Sequence, residues 1–264
     1  MSSPSNEVNL NDPQIPVRQD LMDGQGAAAG GSGLAVQNAP LGTKLRLSDR
    51  TYYYACASAS LAGGTVVCAP PVVGSYQSGL LLVAAAAVGA KTLSVTSTGV
   101  ALAVNSMAEG TFIVATGTNI GEQYRIKSNT VASAGISQIT LYDGLNTAIT
   151  SGAGFAIVPN AYNLVFVGSE GLHTPVGVTP CNVTSGGYFW LQTFGPAAPT
   201  HVGATPAGAA LRMGTTGSVT AFFATGTLGA TASVQPDYSI SLGKNSYLAA
   251  TAGQANPVFL NIMN

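Results

Sequence analysis

Charge is what this sequence has least of. Nine Lys or Arg and ten Asp or Glu serve 264 residues, 7% of the chain, where a soluble domain carries about 25%. A net charge of −1 and a pI near 6.0 leave no basic stripe to neutralise phosphates, so no direct nucleic-acid partner is expected. Reactive side chains are scarce as well: two histidines and three cysteines. Neither His173 nor His201 has a second His, Cys or carboxylate at ligand spacing, so no metal and no cofactor is expected. A Cys181 and His201 nucleophilic pair is conceivable, but Pro180-Cys181-Asn182 reads as a proline-led strand edge with a packed thiol. No serine has glycine two residues before and two after it, as a nucleophile elbow requires. Beyond residue 50 the carboxylates Glu109, Glu122, Asp143, Glu170 and Asp237 each stand alone, so the paired acids of glycoside hydrolysis are not expected and the chain reads as a non-enzyme.

Long apolar runs are missing too. The longest, residues 80–88, has nine residues, against about 20 for a membrane-spanning helix; no membrane partner is expected. Residues 1–20 carry Pro4, Asn6, Glu7 and Asp12 where a secretory leader needs a basic start and an apolar stretch, which predicts synthesis and retention in the cytoplasm. In that compartment Cys56, Cys68 and Cys181 are expected as free thiols, although spacing alone permits a Cys56–Cys68 bridge.

What is present is β-type sequence behind a distinct N-terminal segment. Nine of the nineteen charges fall in residues 1–50. Within 1–43, Pro13 and Pro16 exclude a helix interior, and the stretch GQGAAAGGSG reads as a flexible joint. This extended arm carries Val8, Leu10, Ile15 and Val17 at mostly even spacing. It suits strand addition to a partner, or equally a first strand on its own domain or a free tail. From residue 44 short runs rich in Val and Thr alternate with Gly, Asn and Ser. Strands are predicted at 44–47, 51–57, 65–68, 80–84, 92–97, 99–104, 111–116, 122–128, 137–142, 154–158 and 163–167. A second series follows at 174–179, 187–194, 200–202, 209–213, 218–225, 237–242 and 257–262. In Gln123-Tyr124-Arg125-Ile126-Lys127, for example, Tyr124 and Ile126 face one way and the cations the other. The predicted class is all-β, a sandwich or barrel-like body of short antiparallel strands. A break near residues 168–171 divides it into a β-domain at 44–168 and a second β-domain, or a continuation of the first, at 169–264. Residues 187–194, with the single Trp and three other aromatics, predict a central strand with both faces occupied.

The stretch from 84 to 159 resembles a module of tailed-phage head decoration, or cement, proteins. Its pattern is Ala86, Val88, Gly89, Lys91, Leu93 and Val95, then 105–110 before a strand, then Gly121-Glu122-Gln123-Tyr124-Arg125-Ile126-Lys127 and Leu141-Tyr142-Asp143-Gly144. The segments 175–178, 187–197 and 218–224 are similar to the second half of the same family. The resemblance implies a virion structural protein on the outside of an icosahedral head. It would be made in the host cytoplasm, form a homo-oligomer with a trimer favoured, and clamp the major capsid protein, with no catalytic residues. A tail or fibre component, or a host-binding adhesin, is the alternative. The arm has no counterpart in the resemblance, so a partner contact through Val8, Leu10, Ile15 and Val17 rests on the residues themselves.

Overall fold

The computed structural model describes residues 7–9, 36–71, 80–96, 102–117, 119–131, 135–168, 173–203, 205–221, 242–245 and 253–262. Every regular element among them is a strand except one 3-10 turn at Thr215–Gly217. The all-β class is therefore observed. The chain forms two compact units, one from Met1–Ala69 with Leu164–Asn264 and the other from Pro70–Asn163, inserted between them. Unit 1 opens with β1 (Glu7–Asn9), β2 (Lys44–Leu47), β3 (Arg50–Cys56) and β4 (Val66–Cys68). Unit 2 holds β5 (Leu80–Leu81), β6 (Thr92–Thr96), β7 (Thr111–Val114), β8 (Gln123–Asn129), β9 (Ile136–Leu141) and β10 (Gly154–Val158). Unit 1 resumes with β11 (Pro175–Val178), β12 (Tyr188–Ala197), β13 (Ala210–Met213), β14 (Val219–Ala221), β15 (Gly243–Asn245) and β16 (Val258–Asn261).

Unit 2 is a small antiparallel barrel. Its strands run in the order β5-β10-β7-β8-β9-β6, and a bridge from Leu82 to Val95, with Val83 N donating to Ser94 O at 2.9 Å, returns the last strand to the first. Period-two alternation decides what goes inside. Tyr124 and Ile126 are buried while Gln123, Arg125 and Lys127 face solvent, and Phe112 stacks on Phe155 with centroids 4.9 Å apart. Leu93, Ile126, Ile139, Leu141 and Ile157 complete an aliphatic core that is at most 1% exposed. The pairing of β8 with β9 shifts between Ile126 and Ser128, and past that shift Asn129 is buried. Its carbonyl and amide groups hold Met107 N at 2.9 Å and Ala103 O at 2.9 Å. With the amide of Asn163 on Ser106 O at 3.1 Å, they fix residues 102–109 as a turn in which Asn105 and Glu109 have positive φ. The strand predicted at 99–104 is thus not found at 102–104, because these buried amides collect the carbonyls that a ladder would have used.

Unit 1 is an open sheet in the order β1-β2-β3-β12-β16-β15-β13-β14, with β11 joining β12 to β4. All its strand pairs are antiparallel except β1 with β2, which run parallel with Glu7, Val8 and Asn9 opposite Lys44, Leu45 and Arg46. Val66, Cys68, Leu211, Val219, Val258 and Leu260 make the main core, and Leu45, Leu47 and Tyr52 a second one. Residues 44–69 pack with the C-terminal segment, since β3 pairs along most of β12; the division of 44–168 from 169–264 differs from this one. Two predicted strands are reduced to isolated bridges, at Val165 and Phe166 and at Thr200 and His201. The short strand at 243–245 was not predicted, and residues 237–241 lie outside the described residues. Gly243 explains that miss: its φ is 144°, and a Cβ there would lie 2.0 Å from Phe259 O, so the strand exists only because the residue has no side chain.

Candidate functional site

The aromatic strand is central, as its composition predicts. β12 is hydrogen-bonded to β3, β11 and β16. Phe189 and Leu191 are buried on one face, while on the other Tyr188 and Trp190 are half-buried. Tyr54 of β3 lies between these two rings, stacked on Tyr188 at 6.0 Å and meeting Trp190 edge-on at 5.1 Å. Trp190 also packs on Leu45, Leu47 and Tyr52. The phenol oxygen of Tyr54 accepts from Asn38 N at 3.1 Å, so this face ties the end of the arm segment to the middle of the sheet. The three rings pack on one another in stacked and edge-on geometry.

Further along the same strand is a pocket of about 390 Å³. It arises from a bulge: the register steps from Gln192 opposite Tyr52 to Phe194 opposite Thr51, leaving Thr193 as the extra residue. The Gln192 side chain donates to Phe194 O at 3.2 Å and to Pro196 O at 2.7 Å, which holds the bent strand open. Arg50, Tyr52, Gln192, Val178, Pro196 and Pro257 form its wall. Gly195, with φ 90°, lets the bent strand approach the turn before β3, where a Cβ would fall 2.2 Å from Asp49 O. The wall brings one guanidinium, a phenol and an amide to apolar rings, and it contains no carboxylate, thiol or imidazole.

The other reactive side chains are dispersed. In unit 2, Arg125 and Tyr142 both bond to the Glu109 carboxylate, the tyrosine at 2.7 Å, and the guanidinium lies 5.9 Å from the tyrosine ring centroid. The bond to Glu109 raises the Tyr142 pKa. Glu122 accepts from Thr147 and from Tyr124 at 2.5 Å, and these bonds lower its pKa. Each glutamate thus has its own hydroxyl partners and acts as a clasp between strands and loops. In unit 1, His173 meets Phe166 edge-on at 4.8 Å. His201 is fully buried, with Nδ1 3.2 Å from Thr205 Oγ1, and burial lowers its pKa. Cys56 and Cys68 are buried free thiols and Cys181 is half-buried; burial pushes Cys68 up to about 11. Among the described residues no three His, Cys, Asp or Glu side chains converge on a point.

Of the arm residues predicted to meet a partner, Val8 lies in β1, at the register position of Leu45 on the sheet of the same chain. Leu10, Ile15 and Val17 lie outside the described residues. The β2 edge that receives this strand was not singled out in the sequence. Its signal is the run Lys44-Leu45-Arg46-Leu47, where 45 and 47 are buried and Arg46 is exposed. No family model, curated protein or solved structure matches the chain.

Proposed function

We propose that this chain is a virion structural protein, a decoration protein that binds the outer surface of an icosahedral phage head and stabilises contacts between major capsid subunits. It acts by binding, as a homo-oligomer of which the trimer is favoured. The observation that supports this reading best is the exterior of the barrel. Outward positions on β5, β10 and β7 are Leu81, Ala156, Val158, Thr111 and Ile113, with Leu81 and Val158 more than 40% exposed and no charge among them. The adjoining strand β8, paired with β7, carries Gln123, Arg125 and Lys127. A neutral, partly aliphatic strip bordered by a charged strand suits a contact patch packed against a neighbour with a hydrated rim. The motif resemblance to cement proteins supports the same reading. Repetition on a lattice would make modest single contacts sufficient.

The test is the copy number in purified particles, read by gel densitometry, together with binding of recombinant chain to particles stripped of it. Hundreds of copies and saturable rebinding are expected. A handful of copies would assign the chain to a tail or fibre, and binding to host cells with inhibition of infection would assign it to adhesion.

A further inference from the structure

The bulge in β12 leaves in the pocket a polar group that the fold itself does not use. Gln192 is 4% exposed and lines the cavity. Its amide nitrogen gives both hydrogens to backbone carbonyls, Phe194 O and Pro196 O. That fixes which way the amide lies, because the opposite flip would set Oε1 against two carbonyl oxygens. Oε1 is then an acceptor with no protein donor, and it is reachable from outside, unlike the sealed Nε2 of His201. A nearly buried acceptor in this condition is costly, and a ligand N–H relieves it. Arg50 stands beside it. Tyr52 pairs with Gln192, so Arg50, two residues earlier on β3, is a diagonal neighbour on the same face, about 7–8 Å away. Its ionic neighbour among the described residues is Asp49, 3.9 Å from Nε, which is beyond hydrogen-bonding distance. The paired terminal N–H groups of the guanidinium therefore have no protein acceptor.

An unused acceptor next to an unused guanidinium fork selects a ligand that carries an N–H and a planar anion on one short unit. Acetate brings the anion without the donor. A free amino acid brings an ammonium, which a wall without a carboxylate does not pair. The last residue of a polypeptide has the required set, an amide N–H and a carboxylate joined through a single carbon. The rest of the wall is apolar, chiefly Val178, Pro180, Pro196 and Pro257, and so selects an apolar terminal side chain. At about 390 Å³ the cavity is near the small end of ligand pockets, the size for a chain end and not for a folded partner. We infer that this pocket binds the C-terminal residue of a polypeptide, with its carboxylate on Arg50, its N–H on Gln192 Oε1 and an apolar side chain among the prolines. The site uses no residue of the barrel wall, so binding here and binding to a capsid can fail separately.

The experiment titrates the full-length protein with an N-acetylated tripeptide ending in leucine, the same peptide as its C-terminal amide, the same peptide N-methylated at the terminal leucine, and N-acetylleucine. Calorimetry reads the binding, and Trp190, two residues before Gln192 on β12, gives a second signal. The free acid is expected to saturate the site, with the amide and the N-methylated peptide each at least about tenfold weaker and N-acetylleucine weaker than the tripeptide. Arg50→Gln should abolish the preference for acid over amide, and Arg50→Lys, which keeps the charge but loses the fork, should retain part of it. The Arg50 side chain is 45% exposed, so both variants should keep the Trp190 spectrum and the denaturation midpoint of the parent. Equal binding of acid and amide, no saturation at millimolar peptide, or an undiminished acid preference in Arg50→Gln overturns the assignment. Undiminished binding of the N-methylated peptide overturns the role of Gln192, and N-acetylleucine binding more tightly than the tripeptide overturns the polypeptide occupant in favour of a free acid.

Discussion

The two units solve the same problem, a sheet built from nearly neutral sequence, in opposite ways. The barrel closes on itself through Leu82 and Val95, so each of its strands has two neighbours. The other unit stays open, ending among the described strands at β1 and β14. A closed sheet meets partners only with side chains, whereas an open one also offers a row of backbone donors and acceptors. The barrel is continuous in sequence; the open sheet is assembled from segments on both sides of it. Edge backbone groups belong to unit 1, and the outward aliphatic wall to unit 2.

The largest effect that would break this comparison is in the barrel core. Phe155→Ala removes the ring stacked on Phe112 and is expected to cost about 3–5 kcal/mol, read by chemical denaturation. The tryptophan signal reports the open sheet, because the single Trp190 lies in β12. If the units are energetically separate, a circular-dichroism transition moves to lower denaturant while Trp190 fluorescence does not; a common shift would show that they unfold as one. Gly195→Ala is the converse experiment. Its positive φ and the close Asp49 carbonyl predict a loss of about 2–4 kcal/mol, seen by the Trp190 probe.

A smaller effect is expected from pH. The folded pKa of His201 is lowered by burial, so on acidification the unfolded chain takes up a proton that the folded chain resists. Stability is fully present above the ordinary histidine value of about 6.5 and falls as pH drops below it. Denaturation midpoints measured between pH 7.5 and 5 should decline, and His201→Gln should flatten that part of the profile; an unchanged slope would remove the histidine from the account. The smallest perturbation is thiol labelling of the native protein. Cys181 should react well ahead of Cys56 and Cys68, whose burial raises their pKa values. Prompt labelling of Cys68 would show that the open sheet breathes at its core.

The strands were legible where one face is buried and the other wet, as in Gln123 to Lys127, because period-two alternation is a local signal. So was the central place of β12, from its run of aromatics. The nesting of one unit within the other was not legible, since the contact that reveals it joins Tyr52 to Gln192, 140 residues apart. Residues 99–104 misled because Ala, Leu and Val alternate there, while the amides that impose a turn come from Asn129 and Asn163, far along the chain. The pocket was invisible for a related reason. It depends on one extra residue in β12 and on a proline in a separate segment, Pro257, and neither has a local signature.

The insertion has a consequence for how such a chain can change. Where it departs from the open sheet and where it comes back are hydrogen-bonded neighbours: Cys68 N donates to Phe166 O at 2.8 Å, and Phe166 N returns a bond to Cys68 O at 3.2 Å. A polypeptide whose own ends lie side by side can be spliced between such neighbours without displacing either. The junction is thus a socket, at which a lineage, or an engineer displaying a foreign domain, can exchange one module for another while the sheet keeps its pairing.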